Sequence, residues 1–153
     1  MNFSPTTNLN SKGLLMNLSS LATDNITELL LKIIDFTQAR QKILCRNINN
    51  LSTPGFVPKD LHVDEFSDLL NNALDQHIRT RRLVLRDTDN IKFGLSGTFE
   101  VKPIIDNCAK TLLAENRDRY LEFQINKMLE NSLNQRIATE LLRQKQGMTS
   151  LFE

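Results

Sequence analysis

Two stretches of this chain carry apolar residues at helical spacing. The first runs through Ile26, Leu29, Leu30, Ile33, Phe36, Ile43, Leu44 and Ile48. Leu29, Phe36 and Ile43 are seven residues apart, and Ile33 follows Leu29 by four. Such a narrow stripe seams two helices together. Asn25, with Glu28 three residues on, predicts an N-cap and a capping box. Arg40 and Asn47 interrupt the stripe, so the seam must solvate or pair them. From Asn25 to Asn50 this helix would span roughly 39 Å at about 1.5 Å per residue. The second stretch lies between about Arg117 and Gln146. Leu121, Ile125, Met128, Leu129, Leu133, Ile137 and Leu141 step by three or four, and Gly147 is a natural stop. Neither stripe stabilises a lone helix, so the simplest solution pairs the two, with the middle of the chain inserted at one end.

The first helix has a specified exit. Thr53 precedes Pro54, which pushes it toward extended backbone. Gly55 accepts a positive φ, and Asn49 and Asn50 bond local backbone groups well. Beyond the turn, Val63 to Leu74 places Phe66, Leu69, Leu70 and Ala73 on one face of a short helix. Leu83-Val84-Leu85 reads as a strand. Asp87-Thr88-Asp89-Asn90 and Gly94 to Gly97 are turn clusters, so a small β-hairpin over about 81–101, closed by Pro103, suits the middle. Residues 1–22 are rich in Asn, Ser and Thr, with Leu14, Leu18 and Leu21 at helical spacing, and read as a flexible N-terminal extension. The expected fold is all-α: a single domain over 23–153, made of a helix and turn (23–52), an irregular insertion (53–114) and a closing helix (115–146), the long helices pairing as a coiled coil.

Composition narrows the function. The chain has 153 residues and a net charge of +1 from 19 basic and 18 acidic side chains, a balance unlike that of a dedicated nucleic-acid binder. Five Gly, four Pro and no Trp disfavour a strand-rich sandwich or barrel. Cys45 and Cys108 are too few for a disulfide framework. No apolar run suggests a membrane span, and no cleavable secretory signal is expected.

Candidate chemistry is thin. His62 stands near Asp64 and Glu65 without metal-ligand spacing, which reads as surface rather than a metal site. Cys45 falls near the apolar face of the first helix and reads as a structural thiol. Gly94-Leu-Ser-Gly97 lacks the Lys and the helix of a phosphate loop. Arg79, Arg81, Arg82 and Arg86, with no acid between them, form the one charge cluster and suit a solvated face or an acidic partner. No catalytic residue, metal or cofactor is expected.

The stretch from Asp35 to Phe56, DFTQARQKILCRNINNLSTPGF, resembles the N-terminal signature of bacterial flagellar axial proteins. There a helix ends in an Asn-(Ile/Leu)-Ala-Asn-x-x-Thr-x-Gly-aromatic turn. The variant with Asp-Phe upstream, Arg-Gln within the helix and Thr-Pro-Gly before an Asp resembles the B-type proximal rod subunit of the flagellar basal body rod family. Asp35, Phe36, Arg40, Gln41, Leu44, Asn47, Ile48, Asn50, Thr53, Pro54, Gly55 and Asp60 match that pattern, and Phe56 stands where Tyr is usual. Leu121, Glu122, Met128, Glu130, Asn131, Leu133, Leu141, Leu142 and Lys145 resemble the closing helix. The likeness covers about 25–75 and 116–146. Departures are Cys45, Arg46 and Asn49 around the first motif Asn, Asn116-Arg-Asp-Arg-Tyr120 at the entry to the last helix, and Gln135 in place of Tyr.

The resemblance implies a structural subunit, not an enzyme. Leu121, Ile125, Met128, Asn131, Leu133, Ile137, Leu141 and Leu142 would pack the closing helix. Implied partners are copies of itself, other rod subunits, the base of the rod at the membrane ring, and the flagellar type III export apparatus. Export without a cleaved signal and a place in the periplasmic rod follow. Another axial protein shares the turn motif, and a basic-patch binding module centred on Arg79 to Arg86 is the alternative of a different class.

Overall fold

The computed structural model describes residues 11–94 and 98–150, with side chains described for 25–94 and 98–148. Residues 1–10 of the expected extension, the side chains of Leu14, Leu18 and Leu21, and residues 95–97 of the Gly94 to Gly97 cluster lie outside that range. The described chain is mostly helical. Helix α1 spans Ser11–Asn49, α2 Val63–Thr80, α3 Asn107–Glu115 and α4 Arg117–Ser150. Four two-residue strands lie between them. Strand β1 (Lys59–Asp60) pairs antiparallel with β4 (Ile104–Ile105), and β2 (Ile91–Lys92) with β3 (Glu100–Val101).

Several boundaries differ from the sequence reading. Helix α1 begins at Ser11, so residues 11–22 join it and Asn25 is not a cap. Asn25 Nδ2 instead donates to Nδ1 of the buried His77 of α2 at 3.2 Å. Leu83-Val84-Leu85 forms no strand; the hairpin that does form is the shorter β2–β3 pair. Helix α4 runs past Gly147 to Ser150, because that glycine does not adopt a positive φ. Helix α3 was not anticipated. Its N-cap is Asp106, whose carboxylate accepts from Ala109 N at 3.0 Å. The next residue after α3, Asn116, then caps α4 by accepting from Arg119 N at 3.0 Å.

The core gathers where α1 meets the insertion. Phe36, Leu61, Phe66, Ile91 and Phe93 are buried together, with Ile33, Ile43, Leu70 and Phe99 packed around them. Phe36 and Phe66 stack with ring centroids 4.0 Å apart, and Phe99 meets Phe66 edge-on at 6.2 Å. The predicted stripe Ile33–Phe36–Ile43 therefore packs mainly on the insertion, and Ile33 and Phe36 also line a groove shared with Ile137, Ala138 and Leu141 of α4. Lys32 is drawn into the same core, its ammonium donating to Phe93 O at 3.2 Å beside the Phe99 ring.

Candidate assembly surface

Helices α1 and α4 lie side by side and antiparallel. Asn47 near the end of α1 bonds Gln124 near the start of α4, whereas Thr37 and Gln41 bond Asn131 further along. The buried row on α1 is Thr37, Arg40, Leu44 and Asn47; on α4 it is Tyr120, Gln124, Asn131 and Ala138. Gln124, Asn131 and Ala138 are seven residues apart. The contact thus repeats as a seam does, but polar side chains fill most of it.

Each polar residue has a partner, as burial favours, although Gln124 is satisfied only at Oε1 and its buried Nε2 has no hydrogen bond. Asn47 Nδ2 donates to Lys59 O at 2.8 Å and to Gln124 Oε1 at 3.0 Å, while its Oδ1 accepts from Lys59 N at 3.2 Å. The Asn47 side chain therefore pairs with β1 as a strand backbone would. Its backbone carbonyl accepts from the Tyr120 hydroxyl at 2.9 Å. Asn131 Nδ2 donates to Thr37 O at 2.8 Å and to Gln41 Oε1 at 3.1 Å. Burial, with the Asp106 charge adding to it, pushes the Tyr120 phenol up to about 12.

Four charges gather within the seam, between the Asn47–Gln124 and Thr37–Asn131 contacts. The Arg40 guanidinium grips Asp60 with two parallel bonds of 2.9 and 3.0 Å. Lys127 Nζ reaches Asp60 Oδ2 at 2.8 Å and Asp106 Oδ2 at 2.5 Å. Two cations thus meet two carboxylates, which leaves the cluster neutral. Burial alone would raise the Asp60 pKa; hydrogen bonds from Arg40 and Lys127 outweigh it and hold the carboxyl below its usual range. Burial alone would lower the Lys127 pKa; Asp106 and Asp60 outweigh that and raise it. The Arg40 and Asn47 breaks in the stripe therefore tie α1 to β1 and α4 within one chain.

The exit turn matches its sequence reading. Gly55 has φ +72°, Thr53 Oγ1 donates to Asn50 Oδ1 at 3.1 Å, and Phe56 N donates to Thr53 O at 3.3 Å. Pro54 is exposed, and Phe56, Ile48 and Asp35 are half-buried. Leu44 is fully buried and Phe36 sits in the core.

The apolar row of α4 lies elsewhere than expected. Ile125, Leu129, Leu133, Ile137 and Leu141 are 42 to 64% exposed, while Leu121, Met128 and Leu142 are half-buried and only Asn131 of the expected packing set is fully inside. At about 100° per residue, Leu129 and Leu133 point nearly opposite to Asn131. Periodicity found the row, but only its Ile137–Leu141 end meets α1; apolar spacing is silent on a seam built from Gln, Asn and Tyr. Ile137 and Leu141 continue the row into a groove of about 300 Å³ whose other walls include Leu30, Val63 and Leu70.

Elsewhere Cys45 is half-buried and Cys108 exposed, both as free thiols. His62 is half-buried, and among the described residues no group of three or more His, Cys, Asp or Glu side chains gathers as metal ligands would. Among the described residues no helix is long and apolar enough to cross a membrane. Tested against protein-family models, curated proteins and solved structures, the chain matches none.

Proposed function

We propose that the chain is a structural subunit of the proximal rod of the bacterial flagellar basal body. The observation that carries this reading is the division of α4 into two faces. Its polar face is consumed within the chain, by the motif residues that resemble the axial signature. Its opposite face leaves Leu129 and Leu133 more than half exposed, and the row continues through the partly exposed Ile125, Ile137 and Leu141. A contiguous exposed apolar row marks a surface meant to be covered. Covering the exposed half of each side chain contributes about 1 kcal/mol, or roughly 5 kcal/mol for the row. Neighbouring copies in a helical tube supply that cover through a heterologous contact that does not close. In this reading the α1–α4 pair winds as a coiled coil, and the tube transmits torque and surrounds the export channel. The subunit reaches the periplasmic rod through the type III apparatus, without a cleaved signal, and packs against copies of itself, other rod subunits and the base of the rod at the membrane ring. It needs no cofactor and performs no catalysis.

Deleting the gene in the source bacterium abolishes rod and filament assembly, and the wild-type gene restores both. The same gene carrying Leu129→Lys and Leu133→Lys yields folded protein that does not restore them. Deletion cells that swim with intact basal bodies overturn the proposal. Because the exit turn is shared across axial proteins, a labelled subunit located in isolated basal bodies decides between the proximal rod and another rod position.

A further inference from the structure

We propose that α2 carries a charge-complementary contact between copies of this chain, in which the arginine-rich end of α2 in one copy docks on the acidic first half of α2 in the next. The proposal deepens the rod reading, on which its biological meaning rests. Acidic and basic side chains fall largely in separate runs along α2 and its exit, although Asp75 stands one turn before Arg79 and Asp87 follows Arg86. From Asp60 to Ile78 there is no Lys or Arg, whereas Asp64, Glu65, Asp68 and Asp75 occur there. From His77 to Arg86 there is no Asp or Glu, whereas four arginines do. Asp64 and Asp68 are exposed, as are all four arginines, and among the described residues none of these six groups is in an ion pair.

The helix dipole accounts for part of this pattern, since it favours acids in the first turn and bases in the last. It does not account for Arg82 and Arg86, which lie beyond the helix, or for Asp68. Arg81 caps α2 with φ 60°, its N–H bonded to His77 O at 2.8 Å. After that left-handed turn the chain runs back, so Arg86 and Val84 share a groove with Leu69, Asp75, Gln76 and Arg79 of α2. Ile78, 62% exposed, adds an apolar edge at the same end. At about 1.5 Å per residue, Arg79 lies roughly 16 Å from Asp68 and roughly 22 Å from Asp64 along α2, beyond a Debye length of about 8–10 Å at moderate salt.

The chemistry selects the occupant. Guanidinium forks match carboxylates in two-bond pairs. No aromatic side chain lies between Phe66 and Phe93, so the patch offers no platform for stacking a nucleobase. The chain itself carries the complementary carboxylates, exposed and unpaired, at the opposite end of the same helix. Two different surfaces on one copy meet their counterparts on the next, which is a head-to-tail contact.

The test is sedimentation velocity on the full chain across a concentration series, at about 50 mM and about 500 mM salt. Three proteins are compared: wild type, Arg82→Glu/Arg86→Glu, and Asp64→Lys/Asp68→Lys. Wild type self-associates at low salt and dissociates at high salt. Each variant alone, having lost the charge contrast between its two ends, associates at least roughly tenfold more weakly. An equimolar mixture of the two variants recovers association, which a misfolded variant cannot do. The proposal is overturned if wild-type association ignores salt, or if the mixture does not recover it. It is equally overturned if wild type stays monomeric at low salt, whether or not phosphatidylglycerol vesicles or a DNA duplex engage the arginines. Failure here leaves the rod reading standing on its deletion test. Swimming deletion cells, conversely, remove the rod reading and leave a contact measured in solution intact.

Discussion

Replacing Asp60 by Asn isolates the charge cluster that joins α1, β1 and α4. The side chains of Arg40 and Asp60 are only 5% and 9% exposed, so the substitution strands a buried guanidinium. Breaking a buried pair from one side costs about 3–5 kcal/mol. Lys127 keeps Asp106, which places the expected loss near the lower end, about 3 kcal/mol. In a chain of this size that lowers the midpoint of thermal unfolding by roughly 10 °C. Arg40→Met, which leaves Asp60 with Lys127 alone, costs a similar amount. The double variant costs less than the sum, with a coupling of about 2 kcal/mol, because neither charge is then left without the other.

The assay is urea denaturation followed by helical circular dichroism and by Tyr120 fluorescence. Tyr120 is the single Tyr in a chain without Trp, and it sits on the seam, so its emission reports the α1–α4 contact directly. The two probes unfold together if the seam is cooperative with the rest. The pH dependence has a definite sign. The Asp60 pKa is lowered on folding, so its contribution is present above the usual carboxylate range and is lost as pH falls through the lowered value. The Lys127 pKa is raised, so its contribution is present below the usual lysine range and is lost as pH rises through the raised value. Asp60→Asn therefore flattens the acid side of the stability profile. A loss below about 1 kcal/mol, or additive single variants, refutes the idea that this cluster fastens the helices.

Two further outcomes are expected. Absorbance titration of the native protein shows the Tyr120 phenol ionising at about 12 rather than near 10, and the stability it confers below pH 10 disappears as pH climbs toward that value; ionisation near 10 in folded protein contradicts its burial against the Asn47 carbonyl. A Cβ at Gly55 meets no atom within 4 Å, so the loss expected of Gly55→Val comes from forcing φ +72° on a branched residue, about 1–3 kcal/mol in denaturation and impaired assembly in cells; an unchanged midpoint with normal assembly removes the argument for the turn.

The long helices, the turn between Asn50 and Phe56 and the short helix beginning at Val63 were legible in sequence because each rests on local rules. Apolar spacing marks a helix, and Pro54-Gly55 marks a stop. What spacing does not encode is which neighbour a row meets. Phe36 and Ile43 match a seam in period, yet Phe66 of α2 stacks on Phe36 and takes that face. The true seam was hidden because Thr37, Gln41, Gln124 and Asn131 look like surface residues until their partners are known. Asp60 and Lys127, 67 positions apart, give no joint signal in one sequence. Asp106, by contrast, was readable as the N-cap of α3, since Asp before a helical run is an ordinary start signal. The charge segregation of α2 was half visible, as an arginine cluster without its acidic counterpart.

The division of labour between the two faces of α4 follows from how each kind of contact fixes geometry. A polar seam tolerates one register. Sliding α4 by a single turn would part Asn131 from Thr37 O and Gln124 from Asn47 together, leaving several buried polar groups unpaired at about 1–3 kcal/mol each. Such a seam contributes little net attraction but makes wrong pairings costly, which suits a contact that must form correctly inside every chain. An apolar row has the opposite character. Burying Leu129 or Leu133 is favourable against almost any complementary surface, so the row supplies attraction with little register. In the proposed rod, that row alone would let copies slip along one another. A contact that adds register is then needed between copies, and the opposed charges at the two ends of α2 have the directionality for it. Neutralising either end should therefore weaken association in solution and degrade the regularity of spacing in the assemblies that still form. Replacing Leu129 and Leu133 should weaken association even where the charges stand.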